Sequence, residues 1–424
     1  MCRVSSGNVI RRAGLRRAEM TRGPATNGKL PGRPVVMAVF GTRPEAIKMA
    51  PVISKLRASP LLTAKICVTA QHRAMLDQIL RVFELIPDVD LDVMIPGQSL
   101  PELTSRMLDG LTRVFEAERP DMILVQGDTT TAMVASLAAF YARRRVGHVE
   151  AGLRTYDTSA PFPEEANRQM IRVLADYHFA PTPLAAEQLA AERVPAERII
   201  VTGNTGIDAV LTVLERTRKD APSELAQLLP FLNDGRRLVL ITGHRRESFG
   251  EAFRNICMAL RDLACYFPDV DFVYPVHFNP NVRAPVADIL APSSLQNFHL
   301  TDPQDYVPFV SLMDRASLII TDSGGIQEEA LSIGKPVLVT REVTERPEGL
   351  VSGLVRLVGT DRATIVEAAT RILEGSGALP AVAENPYGDG RASERIVNFI
   401  EHALCRTETI ALGRTPRPWR GVPA

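Results

Sequence analysis

An α/β protein built from two parallel-sheet domains is what this sequence predicts, on three observations. From about residue 34, short β-branched apolar runs alternate with longer amphipathic stretches, the pattern of βα units laid into parallel sheets. The runs form two series, separated by a polar break at residues 215–236 that lacks β-branched runs. A length of 424 residues, against about 150 for one domain, leaves room for two or three domains.

The first series places strands at Val35–Phe40, Lys65–Thr69, Met122–Gln126, Val146–Val149, Tyr177–Ala180 and Ile199–Thr202. The second places them at Leu238–Thr242, Phe272–Val276, Ser317–Thr321, Pro336–Thr340 and Leu354–Val358. Five or six strands in each series argue for two sheets and against one very wide one. A ligand is then expected between the domains, where the carboxyl ends of the strands face a cleft.

Composition narrows the class further. With 45% hydrophobic and 23% charged residues the chain can fill its cores, which excludes wholesale disorder, a collagen-like repeat and a coiled-coil rod. No apolar run approaches the ~18 residues of a membrane span. Lys plus Arg and Asp plus Glu both number 49, whereas a protein built around nucleic acid carries a basic excess. That zero conceals a division. Residues 1–33 hold eight basic residues and one acid, a charge of +7, so the rest of the chain carries −7. The segment 1–33 is read as a disordered basic extension, with an Arg-rich, acid-poor transit peptide or a start at Met20 as alternatives. The Arg- and Pro-rich segment 406–424, which contains the lone Trp419, is read as a disordered tail. Five widely spaced cysteines with no C-x-x-C suggest neither a disulfide framework nor a zinc site, and fit a reducing cytoplasm. No histidine cluster has metal-ligand spacing, so no metal is expected.

Chemistry-bearing residues gather where the strands end. The strand Ser317–Thr321 runs through Asp322 and Ser323 into Gly324-Gly325 and a helix, a candidate phosphate cradle in which glycines admit the backbone and the helix end attracts the anion. Glu329 follows on that helix, placed to accept ribose hydroxyls; a plain strand–turn–helix joint capped by Ser323 is the structural alternative. In Phe40-Gly41-Thr42-Arg43-Pro44-Glu45, Thr42 reads as a cap. Arg43 and Lys48 are two cations at a helix start, opposed to its dipole unless an anion binds there. Asp128, Glu150 and the pair Glu164/Glu165 end successive strands or lead into helices, as general acids or bases or as caps and dipole partners. His244 precedes Arg245 and Arg246, cations that lower an imidazole pKa. The absence of G-x-G-x-x-G and of a Walker A sequence disfavours nicotinamide dehydrogenases and P-loop ATPases.

Eight segments in order carry a family resemblance: residues 40–48, Gln71-His72-Arg73, Gly127-Asp128-Thr129-Thr130, His148 to Arg154, Pro163 to Arg168, Gly243 to Glu247, Asp322 to Glu329, and Thr344 to Glu348. Over roughly residues 34–402 the chain resembles the bacterial non-hydrolysing UDP-N-acetylglucosamine 2-epimerases. The resemblance implies two Rossmann-like domains facing a central cleft, of the GT-B type. Their expected extents are 34–205 and 206–385, with 386–405 a C-terminal helix returning to the first domain. It implies a homodimer that interconverts UDP-GlcNAc and UDP-ManNAc without a cofactor, for cell-surface polysaccharide synthesis. UDP leaves by anti elimination to give 2-acetamidoglucal and is then re-added. By matching position, Asp128, Glu150, Glu164 and His244 are the catalytic group. Arg43, Lys48, Ser323, Gly324 and Gly325 hold the diphosphate, Glu329 the ribose, Gln304 and Phe309 the uracil side, and Arg346 a further polar contact. Gln71, His72 and Arg73 resemble positions linked in some members to activation by a second UDP-GlcNAc, and are candidate regulatory contacts. Gln126 stands where relatives often have a histidine, and Leu331 where a proline is common. A GT-B UDP-sugar glycosyltransferase, which does not need the Asp128/Glu150/Glu164 group, and a hydrolysing epimerase that releases free ManNAc are the competing functions.

Overall fold

Runs of β-branched residues closed to solvent on both faces build the two sheets. The computed structural model describes residues 32–405 except 71–72, 96, 221–228, 230–234, 292–294, 345 and 376–384, so the basic extension and the Trp419 tail lie outside the described residues. In the first sheet, β1 (Val35–Phe40), β2 (Thr63–Val68), β3 (Val89–Asp90), β4 (Met122–Gln126), β5 (Arg145–Val149), β6 (Tyr177–Ala180) and β7 (Ile199–Val201) lie in the order β3-β2-β1-β4-β5-β6-β7. The second sheet contains β8 (Arg237–Thr242), β9 (Val270–Pro275), β10 (Phe298–Thr301), β11 (Leu318–Thr321), β12 (Val337–Val339) and β13 (Val355–Leu357), ordered β10-β9-β8-β11-β12-β13. Every pairing is parallel. The two-domain α/β architecture expected from the sequence is therefore the one observed.

Three details differ from expectation. Strands β3 and β10 were not expected. Each is a short edge strand, and β10 is half exposed, so neither carries a continuous apolar run. β2 begins at Thr63, two residues early, because Thr63 pairs with Val35 at the foot of β1. The polar break at 215–236 begins inside a helix, Thr205–Asp220, whose last turns are polar because they face solvent; the Lys219–Glu215 pair there is well exposed.

In each sheet the strand order reverses beside the first strand, between β1 and β4 and between β8 and β11, which opens a crevice at the carboxyl ends of those strands. The helix Ala392–Cys405 packs on the helix Arg43–Ala58 of the first unit, and Phe399 sets its ring edge-on against Tyr177 at 5.0 Å and Phe179 at 5.8 Å. Its first turn is tied down by the buried Asp208, which accepts from the backbone N–H of Ala392 and of Ser393. Among the described residues no helix is long and apolar enough to cross a membrane, and no cluster of His, Cys, Asp and Glu is placed to hold a metal ion.

Candidate active site

The first unit contributes the loops after β1, β4 and β5. Behind β1, Thr42 caps the helix Arg43–Ala58, and the fully buried Glu45 accepts from the N–H groups of Gly41 (3.0 Å) and Thr42 (2.8 Å) and from the Thr129 hydroxyl (2.6 Å). Glu45 thus occupies the open donors of this helix start and joins the β1 loop to the β4 loop. The expectation of two cations opposing the dipole is corrected accordingly. Only Arg43 stands at the helix start. Lys48 lies further along and pairs with Glu150 at 2.5 Å. Burial would lower the Lys48 pKa, but Glu150 and Glu328 raise it above the ordinary value.

Asp128 sits in the turn after β4 and does not cap the next helix, because Thr129 does, accepting from the Ala132 N–H. The Asp128 carboxylate is left to Arg168, at 2.6 Å, whose guanidinium also reaches the buried Glu165. Glu150 ends β5 in left-handed backbone, φ +64°, a strained conformation for this residue type. Its carboxylate accepts from Lys48, from Asn204 at 3.1 Å and from Gln126. Burial pushes the Glu150 pKa up, yet Lys48, with Arg346 and Arg168 behind it, holds it below the ordinary value. Gln126 gives Glu150 a donor that does not titrate. Glu164 opens the helix Glu164–Leu174 and is half buried, while Glu165 beside it is fully buried.

The second unit contributes the loops after β8 and β11. Ser323 takes the cap position of the helix Gly324–Ser332, but its side chain makes no capping bond, so the first N–H groups stay open. A methyl group on Gly325 would meet nothing within 4 Å, and one on Gly324 would come nearest to the Arg346 guanidinium at 3.9 Å. An uncapped helix end beside an arginine is suited to a diphosphate. Glu329, deeper on the same helix, is pushed up to about 7, chiefly by burial and also by Glu328, against the opposing charges of Lys48 and Arg43. His244, 42% exposed, stacks on His277 at 5.2 Å, with its Nδ1 3.6 Å from Asp322. Burial lowers its pKa, Asp322 raises it, and His277 and Arg245 help to keep it below the ordinary value. The neighbouring cations expected to do this are therefore secondary to burial.

Not every expected residue converges. The Gln304 amide is turned onto its own loop, donating to the Asp302 carbonyl at 2.7 Å, and the half-buried Phe309 packs against the core from the helix Tyr306–Arg315. Arg73 lies out by the β2–β3 edge, bound by Asp77 and Asp90. Gln71 and His72 lie outside the described residues. Conversely, three buried polar residues to which the sequence assigned no role hold the site together. Asp322 accepts from the N–H groups of His244 (2.7 Å) and Arg245 (2.8 Å) and so fixes the β8 loop. Glu328 is bound by Arg346 and by Asn204, the latter from the first unit. A cavity of about 200 Å³ between the units is lined by Arg154, Thr155 and Arg168 from one side and Thr344, Arg346 and Glu348 from the other.

A family model described as UDP-N-acetylglucosamine 2-epimerase matches residues 54–401 of this chain. The chain belongs to the UDP-N-acetylglucosamine 2-epimerase family. Relatives of that name from Escherichia coli K12 and Yersinia pestis are 54% and 56% identical to it over 371 residues, covering 87% of this chain and 98% of theirs. The crystal structure of the UDP-GlcNAc 2-epimerase from Neisseria meningitidis bound to UDP-GlcNAc superposes with a TM-score of 0.80 at 50% identity, covering 86% of this chain and 99% of that one. That superposition bears out the α/β architecture of two parallel sheets described above.

Proposed function

We propose that this protein interconverts UDP-N-acetylglucosamine and UDP-N-acetylmannosamine, without hydrolysis, in the cleft between its two sheets. One observation carries the reading beyond family likeness: an uncapped helix start with Arg346 beside it shares the cleft with carboxylates from two loops of the first unit, Asp128 after β4 and Glu150 after β5. A transferase needs the former but not the latter. Arg43, Lys48, Ser323, Gly324, Gly325 and Arg346 are assigned to the diphosphate, Glu329 to the ribose, and Gln304 and Phe309 to the uracil side, which requires the Gln304 amide to turn from its own loop. The C1–O bond breaks with its electron pair leaving on UDP, whose growing negative charge the helix start and cations stabilise. Loss of the C2 proton then gives the glucal double bond, and re-addition of UDP at C1 with return of a proton to the opposite face of C2 completes epimerisation. Glu150, ionised and with its lone pairs engaged, suits stabilisation of the oxocarbenium-like C1 more than carriage of a proton. Asp128, Glu164 and His244 are the remaining groups for proton transfer.

The product would supply ManNAc-type sugars to cell-surface polysaccharide. Two buried free thiols, Cys67 and Cys257, pushed up to about 12 mainly by burial, fit a reducing cytoplasm. A homodimer is supported by Tyr141 (65% exposed) and Val173 (68%), with Phe140 and Met170, on two helices that pack side by side. Incubation with UDP-GlcNAc and no acceptor, followed by NMR, is expected to yield UDP-ManNAc in the wild type. Asp128→Asn is expected to lower turnover at least ~10²-fold, the scale of an acid–base group. Release of free ManNAc would mark a hydrolase instead, and dependence on an acceptor a transferase.

A further inference from the structure

The chain leaves the first sheet after β7 and comes back to it in the helix Ala392–Cys405, and the two passages touch. A methyl group on Gly203 would lie 3.2 Å from the Gly388 Cα, and one on Gly388 would lie 3.1 Å from the Gly203 Cα, with φ of +89° and +121° respectively. Only glycine permits backbone this close in this conformation. The next residue, Asn204, is 2% exposed and donates its N–H to the Tyr387 carbonyl at 2.7 Å, stitching one passage to the other.

The Asn204 side chain sits at this crossing with its orientation fixed. Its Oδ1 accepts from the Gly206 N–H at 2.9 Å, so its Nδ2 faces two carboxylates, Glu150 from the end of β5 and Glu328 from the helix Gly324–Ser332. Each carboxylate has a cation of its own, Lys48 on Glu150 and Arg346 on Glu328. Among the described residues these four charged groups face the amide, from the β5 end, the two helices behind Lys48 and Glu328, and the loop carrying Arg346. A primary amide has two N–H donors, one for each carboxylate, and adds no charge. No other uncharged side chain of this length does both.

Resting on the epimerase reading above, we infer that Asn204 is a positioning residue for the reaction, locking Glu150 in register with the phosphate-binding helix start across the interdomain crossing. The carboxylate that faces C1 and the donors that face the departing diphosphate belong to different units. A single buried amide, anchored to both passages, sets their separation. Because the contact matters in the transition state more than in substrate binding, its loss falls on kcat and leaves KM nearly unchanged.

The test compares wild type, Asn204→Ala and Asn204→Asp by kcat and KM for UDP-GlcNAc from pH 5.5 to 8.5, together with thermal denaturation over the same range. Asn204→Ala is expected to lose at least ~10-fold in kcat at every pH, with KM shifted less than about 3-fold. Asn204→Asp is expected to match it at pH 8.5 and to recover most of the loss toward pH 5.5, where the protonated carboxyl regains a donor. A carboxyl placed between two others has its folded pKa raised, so its stabilising contribution is present at low pH and lost as pH rises. The Tm deficit of Asn204→Asp relative to wild type therefore widens from pH 5.5 to 8.5. Wild-type kcat in Asn204→Asp at pH 8.5, or equal losses in both variants with no recovery in acid, would overturn the inference. A wild type inactive on UDP-GlcNAc would count against the proposed function. The Tm series would then decide alone whether Asn204 bridges the two carboxylates, and a deficit independent of pH would refute it.

Discussion

Glu150 illustrates how much of the site resides in single residues. It closes β5 in left-handed backbone, takes donors from Lys48, Gln126 and Asn204, and remains ionised although buried. Its residue type and its place at a strand end were legible in the sequence, as were those of Asp128, His244 and the Gly324-Gly325 turn. Its partners were not. Asn204 lies 54 residues from Glu150 and 124 from Glu328, and Asp322 lies 78 from His244, so these contacts exist only once the sheets have formed. The pair Arg43 and Lys48 shows the converse error, since reading them as neighbours at one helix end missed that a carboxylate from β5 awaits one of them. Glu329 yields a pH prediction. Its carboxyl, held at about 7, must be ionised to accept two ribose hydroxyls, so UDP binding is favoured above pH 7 and lost as pH falls through it. Between pH 8 and 5.5 the ionised fraction drops about 30-fold. Calorimetry should show wild type losing roughly that factor relative to Glu329→Gln, a comparison in which titration of the diphosphate itself cancels. A constant ratio would remove Glu329 from the ribose site.

The buried central strands announced themselves at the level of elements because they are apolar on both faces, and the edge strands β3 and β10 escaped because they are short and partly wet. Loops that carry function are fixed by contacts of the same kind. Gly152, two residues beyond Glu150, has φ +96°, and a methyl group there would fall 2.2 Å from the Ala185 carbonyl oxygen in the helix Pro183–Ala191. Backbone cannot yield as a side-chain tip can. Gly152→Ala is therefore expected to cost at least about 2 kcal/mol in denaturant unfolding and to depress turnover by displacing the Glu150 loop. A variant within about 0.5 kcal/mol of wild type would show that the loop accommodates the methyl group. Behind the same loop, His148 donates its Nε2–H to the Gly127 carbonyl at 2.7 Å and faces His178 across the β5–β6 ladder. Burial holds their pKa values down to about 4 and about 3, so both are neutral at physiological pH. For a histidine depressed in this way, the folded state loses stability as pH drops below the ordinary value near 6.5 toward the folded one.

For the whole molecule, two sheets each reverse strand order beside their first strand, and in the proposed function the anion-binding groups come mainly from the second unit and the acids mainly from the first. A net charge of zero over the full sequence offers no general attraction for a diphosphate, so in the proposed function it is the local cations Arg43, Lys48 and Arg346 that would provide it. The exposed apolar surface of Phe140, Tyr141, Met170 and Val173 sets the prediction for assembly. Sedimentation should report a dimer for the wild type and a monomer for a Tyr141→Arg, Val173→Arg double variant, whereas an unchanged sedimentation coefficient would place the interface elsewhere. The chemistry itself is decided by solvent hydrogen at C2. With UDP-GlcNAc in D2O and no acceptor present, elimination and re-addition require UDP-ManNAc carrying deuterium at C2, and the recovered UDP-GlcNAc should acquire it as equilibrium is approached. UDP-ManNAc formed with its original C2 hydrogen, or no product at all, would contradict the mechanism.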